Sequence, residues 1–188
     1  MLELNCSPFP VLTTSRLTLR RVRPGDINEI FFLRSDERVL TYLGKAPAAS
    51  QDEALDFIHT INQLEDNNDA VTWGLTLHHQ DLLVGTICYW NITKQHYRAE
   101  LGYALHPALQ GKGYMQEALL QVLAYGFGVM KLHSVEARVD PHNQPSIQLL
   151  ERNHFTREGF FKEDYFYDGK FLDTAVYSLL ASQHTIEL

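Results

Sequence analysis

The stretch from Glu100 to Leu123 constrains this chain most. Glu100 to Leu105 has strand character and is closed by Pro107. Gln110-Gly111-Lys112-Gly113 is a short loop with two glycines. Met115, Ala118, Leu119, Val122 and Leu123 then recur at i, i+3, i+4, i+7 and i+8, the apolar face of a helix. A glycine-bearing loop that opens a helix is an anion site. The first N–H groups have no partner inside the helix, and the macrodipole leaves partial positive charge there. Gly111 and Gly113 let the backbone approach a ligand without a Cβ in the way, and Lys112 adds a positive charge.

The motif type narrows the anion. A Walker A loop needs Ser or Thr after Gly-Lys, and here Gly113 and Tyr114 follow Lys112. The dinucleotide fingerprint needs a third glycine where Gln116 stands. Alone, the two glycines would favour a plain strand–turn–helix link. What is left is Gln-x-x-Gly-x-(small), which resembles the pyrophosphate loop of the GCN5-related N-acetyltransferases. The resemblance implies that backbone N–H groups of Gln110, Gly111, Lys112, Gly113, Tyr114 and Met115 hold the diphosphate of acetyl-CoA. The last position departs from the family, which has Gly or Ala where this chain has Met115.

Length and composition agree with one domain over 1–188, and the resemblance implies a core over about 14–180. Apolar and charged fractions of 45% and 21% are those of a soluble globular protein. The N-terminus lacks an apolar run behind a basic start, and no stretch approaches a membrane span, so a cytoplasmic protein is expected. Cys6 and Cys88 have no metal-ligand spacing and argue for a reducing compartment. A formal charge of -7 speaks against general nucleic-acid binding. It suits a basic partner, such as a polyamine, an aminoglycoside or a basic polypeptide terminus. No metal site is expected.

In chain order, Arg16 to Val22 alternates as a strand. Pro24-Gly-Asp opens a helix reaching about Arg34, with Ile27, Ile30, Phe31 and Arg34 as its buried stripe. Leu40 to Ala49 reads as a loop. Ser50-Gln-Asp-Glu53 is a capping box; its helix buries Ala54, Leu55, Ile58 and Ile61 and frays from Glu65 to Asp69. Ala70–Leu77 and Leu82–Ile92 form a hairpin through His78-His79, read as exposed turn histidines. Trp73, Tyr89 and Trp90 read as core or wall aromatics. Leu132–Val139 is a strand, Asn143 to about Asn153 a helix capped by Asn143. Phe155–Tyr167 and Lys170–Leu180 are strands joined by Asp168-Gly169, a two-residue hairpin signal. The order β-α-α-β-β-β-α-β-α-β-β is that of one mixed α/β domain.

A second motif supports the resemblance. Asn143-Gln-Pro-Ser146-Ile-Gln-Leu-Leu150, ending Arg152-Asn-His-Phe155, is similar to the family's Asn-x-x-Ser-x-x-Leu-x-x-x-x-Gly-Phe. His154 replaces the glycine, at a helix end where Asn153 or His154 takes the left-handed turn. Arg16-Leu-Thr-Leu-Arg20, Glu100-Leu-Gly-Tyr103 and the Asp168-Gly169 hairpin with Asp173 resemble the bacterial branch that acetylates amino termini of ribosomal proteins. That branch also contains enzymes for other amines. The implied fold is a mostly antiparallel, twisted sheet of about seven strands, flanked by helices and splayed after the fourth strand.

The resemblance also implies roles, each beside a plainer one. Glu100 is the general base, directly or through water, or else a solvated strand residue or one paired with Arg98. Ser146 helps the thiolate leave, or only bonds backbone in a first helical turn. Asn143 caps its helix and contacts the pantetheine arm; the two are compatible. Backbone at Tyr103, Ala104 and Leu105 pairs with pantetheine amides and offers an N–H to the thioester carbonyl. The expected chemistry is direct attack by a primary amine on acetyl-CoA, without a covalent enzyme intermediate; buried Cys88 would be inert. The acceptor is expected to be a polypeptide α-amine, with a small-molecule amine as the alternative. A non-catalytic acyl-CoA sensor on the same fold is the rival outside enzymology. The chain could act as a monomer or homodimer.

Overall fold

The computed structural model describes Leu2 and residues 4–184. Its strands are β1 (Leu12–Thr13), β2 (Leu17–Arg21), β3 (Val71–Leu77), β4 (Leu83–Thr93), β5 (Arg98–Leu105), β6 (Ser134–Val139), β7 (Thr156–Tyr167) and β8 (Lys170–Leu180). They form one sheet in the order β1-β2-β3-β4-β5-β6-β8-β7. Neighbours are antiparallel except β5 and β6. The helices are α1 (Ile27–Ser35), α2 (Glu37–Leu40), α3 (Gln51–Asp66), α4 (Tyr114–Gly128) and α5 (Gln144–Arg152).

Alternation along the strands separates two cores. Leu17, Leu19, Trp73, Leu75, Ile87, Tyr89 and Leu101 pack on one face with Met115, Ala118, Leu119, Val122 and Leu123 of α4 and Leu150 of α5. Val22 and Leu83 meet Ile30 and Leu33 of α1 and Ala54, Ile58 and Ile61 of α3. Tyr89 is fully buried and donates to the Val122 carbonyl at 3.1 Å, so the sheet and α4 lock through one satisfied polar group.

The expected sheet is present, with β1 as a short extra strand. Counted from β2, the fourth strand is β5, and the splay falls there. β5 pairs with β6 only at Arg98↔Ser134, Ala99↔Val135 and Glu100↔Glu136. Beyond Glu100, residues Leu101 to Leu105 have no ladder partner on that side. β4 adds a second irregularity: Trp90↔Glu100 and Thr93↔Arg98 leave one extra residue on β4. This is a β-bulge, and Asn91 in it has φ +47.

Several local expectations shift. The α1 stripe centres on Ile30 and Leu33, and Pro24–Asp26 forms a separate 3-10 turn. Leu55 is half-buried, because α3 turns Ala54, Ile58 and Ile61 inward instead. Glu53 caps through the Ala49 N–H at 3.0 Å, while Ser50 accepts from Glu53 N–H at 3.3 Å. Glu65 does not fray. It is buried and accepts from Arg21 Nε at 2.9 Å and from Thr72 N–H at 3.1 Å. Burial pushes its carboxyl up to about 7 despite those bonds. His154 (φ +65) takes the left-handed turn after α5. His78 bonds the Leu17 carbonyl at 3.0 Å. Trp73 and Tyr89 are fully buried, and Trp90 is exposed.

Candidate active site

β5 carries four of the candidate residues, Glu100, Tyr103, Ala104 and Leu105, within six positions. Glu100 lies at the last register shared with β6. Its side chain shares a face with Gly102 and with their β4 partners Trp90 and Cys88. That face is the one covered by α1 and α3. Gly102 keeps the floor low: a Cβ there would lie 3.2 Å from Cys88 Sγ and 3.6 Å from Trp90 Nε1. Glu100 is buried, and its carboxylate accepts from Asn91 Nδ2 at 3.3 Å. Burial raises its pKa. The Asn91 bond opposes this, neighbouring Glu136 adds to it, and Arg138 and Lys45 lower it. Arg98 does not pair with Glu100; it holds Glu136, with Nε at 2.9 Å. Burial pushes the Cys88 thiol up to about 12, which keeps it unreactive.

Tyr103 points to the opposite face, toward α5. Its hydroxyl and Ser146 Oγ are 2.6 Å apart. Burial pushes the phenol up to about 12, and the Ser146 bond works against it. Asn143 is the α5 cap, its Oδ1 accepting from Ser146 N–H at 3.2 Å. The cap therefore sets the residue that meets Tyr103. Both expected readings of Ser146 leave its hydroxyl on one hydrogen-bonded pair beside the open edge of β5.

Gln110 turns back and donates its Nε2 to the Leu105 carbonyl at 3.0 Å, fixing the strand end. Gly111 (φ +71) and Gly113 (φ +80) then bend the chain into α4. Among the described residues, none of the N–H groups from Gly111 to Gln116 has an acceptor. They form a run of free donors at a helix N-terminus, with exposed Lys112 among them. That donor set fits a diphosphate. Met115 is buried in the core beside α4, so its side chain leaves the anion side clear and the departure from a small residue costs no space.

Three contacts that support the site were invisible in the motif. Glu117 accepts from Ser15 Oγ at 3.0 Å, Arg16 N–H at 2.8 Å and Arg16 Nε at 2.6 Å, and also from the Thr14 hydroxyl. Burial would raise its pKa, but bonds from Thr14, Arg16 and Ser15 outweigh it and hold the carboxyl at about 2. Arg16 also donates Nη1 to the Lys112 carbonyl at 3.1 Å and lies 4.3 Å over the Tyr114 ring. Gln116 and Asn153 exchange amide bonds at 2.7 and 2.9 Å, joining the start of α4 to the end of α5. Asn91 is the third, placed by the bulge.

A splayed β5–β6 junction, a donor-lined loop before α4 and an Asn-capped α5 together define an acyl-CoA-dependent transferase. The model of the acetyltransferase (GNAT) domain matches residues 16–156. The chain belongs to that family; it is an N-acetyltransferase with acetyl-CoA as its co-substrate. The chain is 32% identical to the uncharacterized N-acetyltransferase YoaA of Bacillus subtilis, over 92% of this chain and 97% of that protein. The [ribosomal protein uS5]-alanine N-acetyltransferase of Escherichia coli is 28% identical, over 93% and 92% of the two chains. A crystal structure of spermidine N-acetyltransferase from Vibrio cholerae, in complex with CoA and spermine, superposes with a TM-score of 0.80 at 27% identity. It covers 90% of this chain and 98% of that one. No helix among the described residues is long and apolar enough to cross a membrane. Among the same residues, no group of three or more His, Cys, Asp or Glu could hold a metal.

Proposed function

We propose that the protein acetylates the α-amine of a polypeptide terminus, in the manner of the uS5-alanine relative, with a ribosomal protein as the preferred acceptor. The observation that carries this is Glu100 at the splay. It is one buried carboxylate with a single weak hydrogen bond, and a raised pKa. Such a base suits an amine that is already partly neutral. An α-amine titrates near 7.7–8.0 and a lysine near 10.4, so the terminal amine needs far less deprotonation at neutral pH.

The amine nitrogen attacks the thioester carbonyl from the face bearing Glu100, and its proton passes to Glu100 through water. A backbone N–H near Leu105 receives the oxyanion as it forms. The C–S bond then breaks. The coenzyme A thiolate takes its proton from the Tyr103–Ser146 pair, whose shared hydrogen bond supplies a donor beside the open β5 edge. Gly111 to Gln116 hold the diphosphate, and Asn143 meets the pantetheine arm while capping α5.

The spermidine relatives support a second reading, a small polyamine acceptor. Competition decides between them. A peptide with a free α-amine is compared with its terminally blocked form carrying an internal lysine, and with spermidine. A higher kcat/KM for the free terminus supports the proposal; a better rate on the blocked peptide or on spermidine rejects it and leaves the acetyl-CoA chemistry intact.

A further inference from the structure

We propose that Trp90 is a specificity-determining residue whose indole N–H donates to a carbonyl oxygen carried by the acceptor beside its amine. The acceptor class is then an amine whose own carbon bears a carbonyl, as the α-amine of a polypeptide terminus does and a lysine side chain or a polyamine does not. This deepens the terminal-amine reading and rests on it, with Glu100 as the group that meets the amine.

The chain has two tryptophans, and they are held differently. Trp73 is fully buried, donates Nε1–H to the Pro10 carbonyl at 2.7 Å and packs edge-on against Phe9, Tyr89 and Tyr125. A core tryptophan satisfies its ring and its polar atom in this way. Trp90 does neither. It is 45% exposed, and among the described residues its ring has no aromatic partner and its Nε1 no acceptor.

Register and distance place this free donor. Trp90 stands opposite Glu100 and Cys88 opposite Gly102, so the four share one face of the sheet. A Cβ on Gly102 would meet Cys88 Sγ at 3.2 Å, Trp90 Nε1 at 3.6 Å and Trp90 Cδ1 at 3.8 Å. The pyrrole edge of the indole is thus the edge turned to the space that Gly102 leaves open, and that edge carries the N–H. Trp90 is also the last regular pair of β4 before the bulge. Asn91, in the bulge, is the residue that donates to the Glu100 carboxylate, at 3.3 Å. The indole N–H beside them is left uncommitted.

The chemistry dictates what occupies that space. On this face Gly102 follows Glu100 along β5, toward the strand end at Tyr103 to Leu105 where the thioester is proposed to lie. An amine that reaches both Glu100 and the thioester stands over Gly102. In a polypeptide terminus the carbon bearing the amine also bears a carbonyl, so an acceptor oxygen arrives beside the indole. On a lysine side chain the carbonyl is a full side chain away, and spermidine has none. Any acceptor that covers the indole edge takes water from its N–H; an adjacent carbonyl restores the lost hydrogen bond, and the other acceptors leave the donor unpaired.

The test measures kcat/KM of the wild type and of Trp90→Phe, which keeps an aromatic ring and removes the N–H. The acceptors are a peptide with a free terminal alanine, alaninamide, isopropylamine and spermidine; the first two carry the carbonyl and the last two lack it. Taking the ratio of wild type to variant for each acceptor cancels the differences in amine pKa. Trp90 is exposed, so the variant should fold; a melting curve and an unchanged acetyl-CoA dissociation constant check it. The ratio should be about threefold to tenfold for the free terminus and for alaninamide, the scale of one neutral hydrogen bond. It should stay near one for isopropylamine and spermidine. An equal loss on all acceptors, or no loss on those with the carbonyl, overturns the inference, because the ring alone then accounts for Trp90. If wild type acetylates alaninamide and no peptide, the terminal-amine reading fails by itself and the inference is decided on alaninamide. If it acetylates neither, the inference is overturned as well.

Discussion

Glu117→Gln separates bracing of the proposed diphosphate loop from direct contact with the ligand. Glu117 stands in the first turn of α4 and gathers Thr14, Ser15 and Arg16. Those bonds bring its carboxyl from the ordinary 4.5 to about 2. At ~1.4 kcal/mol per pH unit this fall is worth at most ~3–4 kcal/mol. Arg16 is 44% exposed, so solvent screening reduces the contribution to about 1–2 kcal/mol. A depressed carboxylate pKa contributes stability that is full above about 4.5 and is lost as pH falls toward about 2. For a chain of this size the variant should therefore melt roughly 3–6 °C below wild type at pH 7. The gap should narrow as both are titrated from pH 5 to pH 3. Because Arg16 also holds the Lys112 carbonyl, the acetyl-CoA dissociation constant, read by calorimetry at pH 7, should rise several-fold while the acceptor KM stays put. A gap equally wide at pH 3 and pH 7, or wild-type affinity for acetyl-CoA, would refute the bracing argument.

Three further outcomes are expected. Gly113→Asp puts a side chain and a negative charge on a φ +80 position within the loop of free amides; calorimetry on the folded variant should find acetyl-CoA binding largely lost. Glu100→Gln should lower kcat at neutral pH and lose less as pH rises and the acceptor deprotonates by itself, whereas wild-type activity should fall as pH drops through the raised Glu100 pKa; a pH–rate profile checks both. Ser146→Ala should cost ~10²-fold in kcat if the pair protonates the thiolate. Tyr103→Phe should then cost at least as much, and stopped-flow thiol release that stays at the wild-type rate in both variants would leave Ser146 a helix-capping neighbour only.

What could be read from the sequence was local. The glycine loop before α4 declares itself because glycine at positive φ and apolar spacing along a helix are properties of neighbouring residues. The cap at Asn143 is legible for the same reason, since its acceptor and the Ser146 donor are three positions apart. Glu117 was illegible: its partners lie about a hundred positions earlier, and an acid in a first helical turn has an ordinary reading as a dipole complement. Glu65 was misread because the run Glu-Asp-Asn-Asn-Asp looks like a fraying end. Only the fold brings Arg21 and the Thr72 N–H to it. Met115 looked like a defect in the loop until α4 was seen to turn it inward. The two tyrosines of β7 gave no sign of reaching Gly44 and Lys45, more than a hundred residues away.

The position of Glu100 follows from two interruptions of pairing that meet at one residue. On one side, β6 follows β5 for three registers and then departs. On the other, β4 carries an extra residue between its pairings with Glu100 and Arg98. A regular ladder on both sides would leave a carboxylate on the α1–α3 face with neighbours at fixed spacing and no cleft beside it. The splay opens the β5 edge from Leu101 onward, and the bulge swings Asn91 toward the Glu100 carboxylate. Neither device depends on Glu100 itself. The site is therefore built into the sheet's register, and substituting Glu100 should change the chemistry while leaving the acetyl-CoA cleft in place. Straightening β4 by removing one bulge residue should do the reverse. Without Ile92, Asn91 would stand opposite Ala99 with its side chain on the other face, while Thr93 keeps its place opposite Arg98, displacing the partner of a Glu100 that is still present.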